Sequence, residues 1–492
     1  MYGSLWLALL APVLFIPIVY FLGRRMGKLV SWVALVPLLY STLYFVSLMG
    51  GIAESPVGEY FYWLPGIRFG LYADGLSLPI VLTVAVLSAI IAIYSQPYMV
   101  HSIHEQYHQE NNKAHATYYS LYLAYVASMM GVVLSTNLFE FYLFFELMII
   151  PSWALINVYG SGEREKIGLM YLLWSIVGAV AFVTGALSAY AQTGSFELVD
   201  LVRLTGSPWA AFIVASMLVG LCVKMALFGI HIWLPFAHAE APTPISALLS
   251  PAMIGLAAYA IVRLLLPIQG TMDTWFALTL IWGLATMIYG GLMVLAQTDI
   301  KRLLAYSSMS QMGYLFVGIA SATTLGVGGA MMHYVSHGLG KAALFLSVGA
   351  IMHQTGYRDI RKLGGLAARM PITAMVFLIG AMNISGIPPT MGFASKLMIF
   401  MGAFGPGVHE ISTEFVLALV AILSTALTIG YMMWTMRRIF YGPIAEHLED
   451  VKEASPLMTI PMILLCVLSI LIGIYPKPII DPIMEVVARL LM

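Results

Sequence analysis

Lys224, Lys341 and Lys396 each lie inside an apolar stretch long enough to cross a bilayer, and Glu146 lies inside a fourth. A charge near the bilayer centre costs from about 3 to about 10 kcal/mol, so such residues are rare and usually line a polar path. Only 9% of this chain is charged, so four charges at membrane depth need a reason. Moving charge across the membrane is the best available.

Glu146 stands in Phe141-Tyr142-Leu143-Phe144-Phe145-Glu146-Leu147-Met148, apolar on both sides. An unpaired carboxylate at that depth favours its protonated form, and a nearby lysine restores the charged one. A Glu–Lys pair in a dry site is therefore a proton switch; the alternative is a static ion pair that fixes helix register. Glu140, six residues earlier, falls near the outer end of the same span and reads as an interfacial or access residue.

His333, His337 and Lys341 follow at i, i+4 and i+8. On a helix they share one face and form a ladder roughly 12 Å long. Histidine titrates near neutral pH and relays protons in either direction. Haem ligation would need matching histidines on a facing helix; His231 and His238 exist, but they flank a break and are seven residues apart. A third possibility is that the two histidines merely bond backbone carbonyls.

The elements that position these groups are membrane helices. The chain has 492 residues, is 61% hydrophobic and carries no formal net charge, which leaves no room for a soluble domain and argues against nucleic acid as a partner. Apolar runs of the length that a roughly 30 Å hydrocarbon core demands recur throughout. Spans are expected near residues 4–23, 29–50, 75–98, 117–135, 137–157, 166–192, 208–234, 243–267, 274–297, 303–321, 325–353, 371–403, 413–436 and 457–475, about fourteen helices in an all-α polytopic membrane protein. The first run has no basic segment before it and reads as a transmembrane helix, not a signal peptide. Cys222 and Cys466 both fall within spans, and no spacing suits iron–sulfur clusters or attached haem, so no cofactor or metal is expected.

Basic residues set the orientation. With the N-terminus outside, fifteen of them fall in inner loops (Arg24, Arg25, Lys28, Lys113, Arg164, Lys166, Lys301, Arg302, Arg358, Arg361, Lys362, Arg369, Arg437, Arg438 and Lys452) and only five outside (Arg68, Arg203, Arg263, Lys477 and Arg489). The charges of Asp299-Ile300-Lys301-Arg302 and Glu163-Arg164-Glu165-Lys166 are read as topology and solvation alone.

Two spans look broken. The seventh runs Lys224-Met225-Ala226-Leu227-Phe228-Gly229-Ile230-His231-Ile232-Trp233-Leu234-Pro235, and the twelfth contains Ser385-Gly386-Ile387-Pro388-Pro389-Thr390-Met391-Gly392. Proline removes helical donors, and broken helices in two halves point to an inverted-repeat transporter core. The expected organisation is helices 1–3 over residues 1–116, a first five-helix repeat (helices 4–8) over 117–267, an inverted second repeat (helices 9–13) over 268–440, and a C-terminal loop with helix 14 over 441–492. Lys224 and Lys396 each stand close to a break, where water can reach a partly solvated ammonium.

Several stretches together resemble the antiporter-like subunits of the complex I membrane arm and their relatives, the Mrp-type cation/proton antiporters and membrane-bound hydrogenases. They are Asp74-Gly75-Leu76-Ser77, Phe145-Glu146-Leu147, His231-Ile232-Trp233-Leu234-Pro235, Ala237-His238-Ala239-Glu240-Ala241-Pro242-Thr243-Pro244-Ile245-Ser246, the DIKRLLAY run from Asp299 to Tyr306 followed by Ser307-Ser308, and Arg437-Arg438-Ile439-Phe440-Tyr441-Gly442. The likeness runs from about residue 70 to 445. It implies fourteen helices, two inverted repeats and a polar axis along the midplane, with the fifth-helix glutamate at Glu146, the lysine of the broken seventh helix at Lys224 and the charged residue of the broken twelfth at Lys396.

Two positions depart from the pattern. Gly255 stands where many members carry an eighth-helix lysine, and Lys341 on the His333/His337 face resembles members that supply the middle lysine from a later helix. Ala226 stands where the family often has proline. The chain also ends soon after the fourteenth span, without the long lateral helix of the largest subunit type.

The reading is a non-redox, ion-translocating subunit of a larger complex in the cell (plasma) membrane. Redox partner subunits would drive H⁺, or H⁺ in exchange for Na⁺, along Glu146, Lys224, Lys341 and Lys396, relayed by His333 and His337, with Glu140, His231 and His238 at the access points. One charge crossing 100 mV costs about 2.3 kcal/mol, and the chain has no cofactor motif to supply it. The alternatives are a subunit of an Mrp-type Na⁺/H⁺ antiporter without a redox partner, and a structural scaffold with inert charges.

Overall fold

The computed structural model describes residues 4–64, 67–268, 271–404 and 413–492. The chain is mostly helical, because backbone amides and carbonyls in hydrocarbon must be satisfied within their own segment. Ten helical stretches among the described residues are long and apolar enough to cross a membrane. A helix stands at every apolar run expected from the sequence, with ends that differ by a few residues. The largest difference is Ser77–Tyr107, which runs nine residues beyond the expected end as the polar stretch after Tyr98 continues the same helix.

Between the second and third runs the structure adds a two-stranded antiparallel hairpin, Val57–Leu64 paired with Ile67–Ala73. Its aromatic, strand-favouring residues lie between apolar spans, where a hairpin can exist. Glu59 on the first strand caps the first helix, Leu5–Met26, by accepting from the Leu5 amide at 2.8 Å.

The bundle has a dry rim and a polar centre. Thr243–Leu265 and Thr324–Thr355 are buried along almost their whole lengths, whereas the outer faces of Leu5–Leu48, Phe415–Phe440 and Pro456–Ile474 expose leucine, isoleucine and valine. The central helix Thr324–Thr355 packs closely through glycine, as expected where small residues let membrane helices approach. A Cβ on Gly340 would come within 2.3 Å of the Asn383 amide nitrogen, so no larger residue fits there.

The helices are interrupted at both places that the sequence marks as broken. Ala210–Met225 ends at Ala226, a non-glycine residue at φ +57, and the chain restarts as Trp233–Glu240. Left-handed backbone at alanine costs about 1–3 kcal/mol and persists only where surrounding packing enforces it. Pro371–Ser385 ends at Gly386 (φ +76), and Met391–Phe404 resumes after Pro388-Pro389.

Two further irregularities were not expected. The fifth run divides into Leu138–Leu147 and Ile149–Tyr159, directly after Glu146, and Pro151 lacks the amide that would bond the Leu147 carbonyl. The eighth carries two π-helical segments, Leu249–Met253 and Ile261–Leu265. Such segments recur at functional sites.

Candidate functional site

The seventh-run break is pinned by the residues that flank it. Trp233 donates its indole N–H to the Val223 carbonyl at 3.0 Å, a second bond to an acceptor that otherwise holds only the Ala226 amide. His231 accepts the Gly229 amide at 3.2 Å on Nδ1 and lies against Phe228 and Tyr289. This leaves Lys224, two residues before the break, buried between the rings of Phe145 and Tyr171, 5.6 and 5.4 Å from its ammonium. The ammonium donates to the Tyr171 hydroxyl at 3.4 Å, and that hydroxyl meets Ser152 Oγ at 2.7 Å.

Glu146 lies next to Phe145 on the helix that ends one residue later. Its charge and that of Lys224 interact, but no direct ion pair joins them, and one carboxylate oxygen is buried without a protein partner. Ser152 bonds the Met148 carbonyl at 2.8 Å, so the Glu146 break, Tyr171 and Lys224 form one connected group. Glu140 sits elsewhere: its carboxylate is fully buried and accepts from the amides of Gly70 (3.3 Å) and Thr136 (3.2 Å), tying the hairpin to the start of Leu138–Leu147.

The first π segment supplies the next polar contacts. Tyr171 reaches the Met253 sulfur at 3.5 Å, and Ser250 in the same segment meets Ser308 Oγ at 2.6 Å. Ser308 and the Lys341 ammonium both bond the Leu304 carbonyl, at 2.9 and 3.0 Å. Gly255 leaves room there for the Tyr334 ring, 2.5 Å from where a Cβ would sit. Lys341 is fully buried and points inward to this link.

Beyond Lys341 come the histidines. His337 and His238 are fully buried, interact electrostatically with Lys341, and have no hydrogen-bond partner on any ring nitrogen. His333 bonds Ser395 Oγ at 2.9 Å and Gln311 Oε1 at 3.2 Å. Lys396, the residue after Ser395, lies 3.9 Å over the Tyr314 ring with its ammonium buried and unpartnered. Its stem passes Gly386, where a Cβ would meet Lys396 Cδ at 2.9 Å, so this lysine does reach back to the break.

Three residues matter here that the sequence does not single out or that it presents differently. Asn383 holds the twelfth-run break: its Oδ1 accepts from Gly392 N (2.9 Å), Ser336 Oγ (3.1 Å) and Ser469 Oγ (3.0 Å), and its amide donates to the Ser336 carbonyl at 2.7 Å. Tyr171 joins Lys224 to the first break. Lys301 is the correction: expected as a solvated loop charge, it is 1% exposed and donates to the Ala241 carbonyl. Asp299 caps the helix Ile300–Ala320 and carries Lys301 inward on its first turn. Polar residues inside apolar runs, and Pro151 after Glu146, are the available signals.

A bundle of apolar helices around a line of buried titratable groups defines a polytopic membrane protein built to hold charge at depth. This chain belongs to the NADH:quinone oxidoreductase/Mrp antiporter transmembrane family, whose pattern matches residues 135–428. Residues 64–109 match the N-terminal region of chain 5 of NADH-ubiquinone oxidoreductase (complex I). The chain is 31% identical to the F420H2 dehydrogenase subunit M of Methanosarcina mazei, covering 96% of this chain and 95% of that one. It is 32% identical to an Na⁺/H⁺ antiporter subunit of Alkalihalophilus pseudofirmus, over 96% of this chain and 61% of the relative. Its fold matches a chain of respiratory complex I from Thermus thermophilus with bound NADH, at TM-score 0.87, 24% identity and coverage of 99% and 100%. It is an antiporter-like membrane subunit.

Proposed function

We propose that this chain carries protons, or protons in exchange for sodium, across the cell membrane as the non-redox subunit of a redox-driven complex. The observation that carries the reading is the succession of half-buried Glu146 and buried Lys224, Lys341, His337, His333 and Lys396, with the hydrogen-bonded pairs Lys224–Tyr171, Ser250–Ser308, Lys341–Leu304 and His333–Ser395 among them. Buried polar atoms normally have partners, and several that lack one here (on Glu146, His238, His337 and Lys396) cluster on this line. Groups that must gain and lose protons cannot be locked permanently into hydrogen bonds.

In this reading fourteen helices cross the membrane, with the N-terminus outside, and residues 117–267 and 268–440 form the two inverted repeats. Glu146 and Lys224 act as the switch, Lys341 and Lys396 as proton carriers, His333 and His337 as relays, and Glu140, His231 and His238 stand at points of access. Energy arrives from redox subunits of the same complex, as the name of the dehydrogenase relative suggests. The test is proton transport by the complex in proteoliposomes: Glu146→Ala should abolish it while largely sparing electron transfer. Full transport by that variant removes Glu146 from the mechanism.

A second reading has a specific observation behind it, the likeness to an Na⁺/H⁺ antiporter component. It places the chain in an assembly with no redox partner. Purified complex that carries redox-cofactor subunits supports the first reading; small antiporter subunits alone support the second.

A further inference from the structure

The helices Leu5–Met26 and Val30–Leu48 are joined by a tight turn, Gly27–Leu29, with Arg25 just before it and Lys28 within it. Gly27 sits at φ +58, and a Cβ there would strike Asn112 Oδ1, so glycine lets the turn close against the start of Asn112–Leu134. Both cations are therefore held on a fixed turn. Both are exposed, and neither enters an ion pair among the described residues.

A cavity of about 690 Å³ opens beside this turn. That is within the roughly 300–1,000 Å³ of small-molecule sites. Arg25 and Lys28 line it together with His101 and His104 from the end of Ser77–Tyr107, His115 from Asn112–Leu134 and His353 from Thr324–Thr355. Glu110 is the one acid among the lining residues. Glu105 engages His101 at 3.2 Å. His115 is only 6% exposed yet makes no hydrogen bond to a described residue, and His353 Nδ1 is buried without a partner. Buried polar atoms normally have partners, so unpaired imidazoles beside two unpaired cations offer donors to an anion.

The rim of the cavity selects among anions. Met26 and Leu29 line it and are exposed, and Leu22, one turn before Met26 on the same face, is exposed too. All three belong to the outer surface of the membrane-spanning stretch Leu5–Leu48. A free phosphate would leave this apolar track bare, whereas a phospholipid sets its phosphate among the cations and an acyl chain on the track. Basic pockets between membrane helices bind anionic headgroups in this manner. We propose that the cavity holds the headgroup of an anionic phospholipid, with phosphate oxygens accepting from Arg25, Lys28 and His115 and one acyl chain lying along Leu22, Met26 and Leu29. The site shares no residue with the titratable groups of the translocation reading and stands or falls apart from it.

Two measurements on the purified complex test this. The complex is stripped of lipid in detergent and titrated with short-chain phosphatidylglycerol, short-chain phosphatidylcholine or inorganic phosphate, and native mass spectrometry counts the bound molecules. Wild type should hold a tightly bound phosphatidylglycerol that Arg25→Gln/Lys28→Gln binds at least tenfold more weakly. Phosphatidylcholine and inorganic phosphate should each bind the wild type at least tenfold more weakly than phosphatidylglycerol. Equal binding of phosphatidylglycerol by the double variant overturns the proposal, and so does phosphatidylcholine bound as tightly. Inorganic phosphate bound as tightly also overturns it and makes the cavity a free-phosphate site. Separately, a photoactivatable phosphatidylglycerol cross-linked to the wild-type complex should mark Met26, Leu29 or Val100 on the cavity wall. Labelling confined to other segments or to another subunit overturns the proposal, even if the double variant fails to assemble.

Discussion

Lys341 and Ser308 bond the same acceptor, the carbonyl oxygen of Leu304, at 3.0 and 2.9 Å. Ser308 in turn meets Ser250 at 2.6 Å in a π-helical segment, so two hydroxyls and one carbonyl link Lys341 to the eighth run near Gly255. In the proposed path, these serines and Lys341, entering from Thr324–Thr355, would fill the place of the lysine that Gly255 lacks.

Ser250→Ala and Ser308→Ala should each slow proton transport roughly fivefold, the equivalent of about 1 kcal/mol for one hydrogen bond. Because the two hydroxyls form one link, the double variant should be no slower than either single. Additive losses, measured as transport rates in proteoliposomes, would show that the hydroxyls act apart.

Asn383→Ala removes the acceptor of Gly392, Ser336 and Ser469 and the amide that donates to the Ser336 carbonyl. Thermal unfolding in detergent should show a loss of about 3 kcal/mol, from several net hydrogen bonds of about 1 kcal/mol each. A loss below about 1 kcal/mol would mean that the break holds its shape without Asn383.

Asp74 lies outside the spans, where its carboxylate accepts from Leu76 N, Ser77 N and, at 2.6 Å, from Arg263. Burial pushes its pKa up, but the Arg263 charge and these hydrogen bonds more than offset that and hold it below the ordinary carboxylate value. The folded value is the lower one, so the stabilisation is complete above the unfolded value of about 3.9 and fades as pH falls through the folded one. Asp74→Asn should cost about 3 kcal/mol at neutral pH by leaving Arg263 unpaired, and its unfolding temperature should fall less steeply than wild type below about pH 4. Parallel curves would exclude Asp74 as the titrating group.

Much of the helical fold is legible because the membrane imposes a length and a composition that hydropathy reads directly. Lys224, Lys341 and Lys396 are legible for the same reason, since a charge in an apolar run is conspicuous. Lys301 is not. It stands one residue inside a helix start and beside Arg302, so it looks like any loop charge until packing buries it against Ala241. Asn383, Ser250 and Ser308 are also silent, because a neutral polar residue in a span costs little and acquires meaning only from its partners. The break after Glu146 is marked by Pro151 yet does not stand out, since one proline in a membrane helix is common.

The central claim is that the buried lysines of the axis carry protons and are not fixed charges. Lys396 tests it best, because its ammonium is buried, has no hydrogen-bond partner and rests on the Tyr314 ring at the far end of the line. Proton transport by the Lys396→Arg complex should be measured in proteoliposomes beside wild type and Lys396→Ala, with assembly checked for each. A guanidinium keeps the charge and does not deprotonate, so both variants should lose at least tenfold in rate. Wild-type transport by Lys396→Arg, with Lys396→Ala inactive, would contradict the account and make Lys396 a fixed charge.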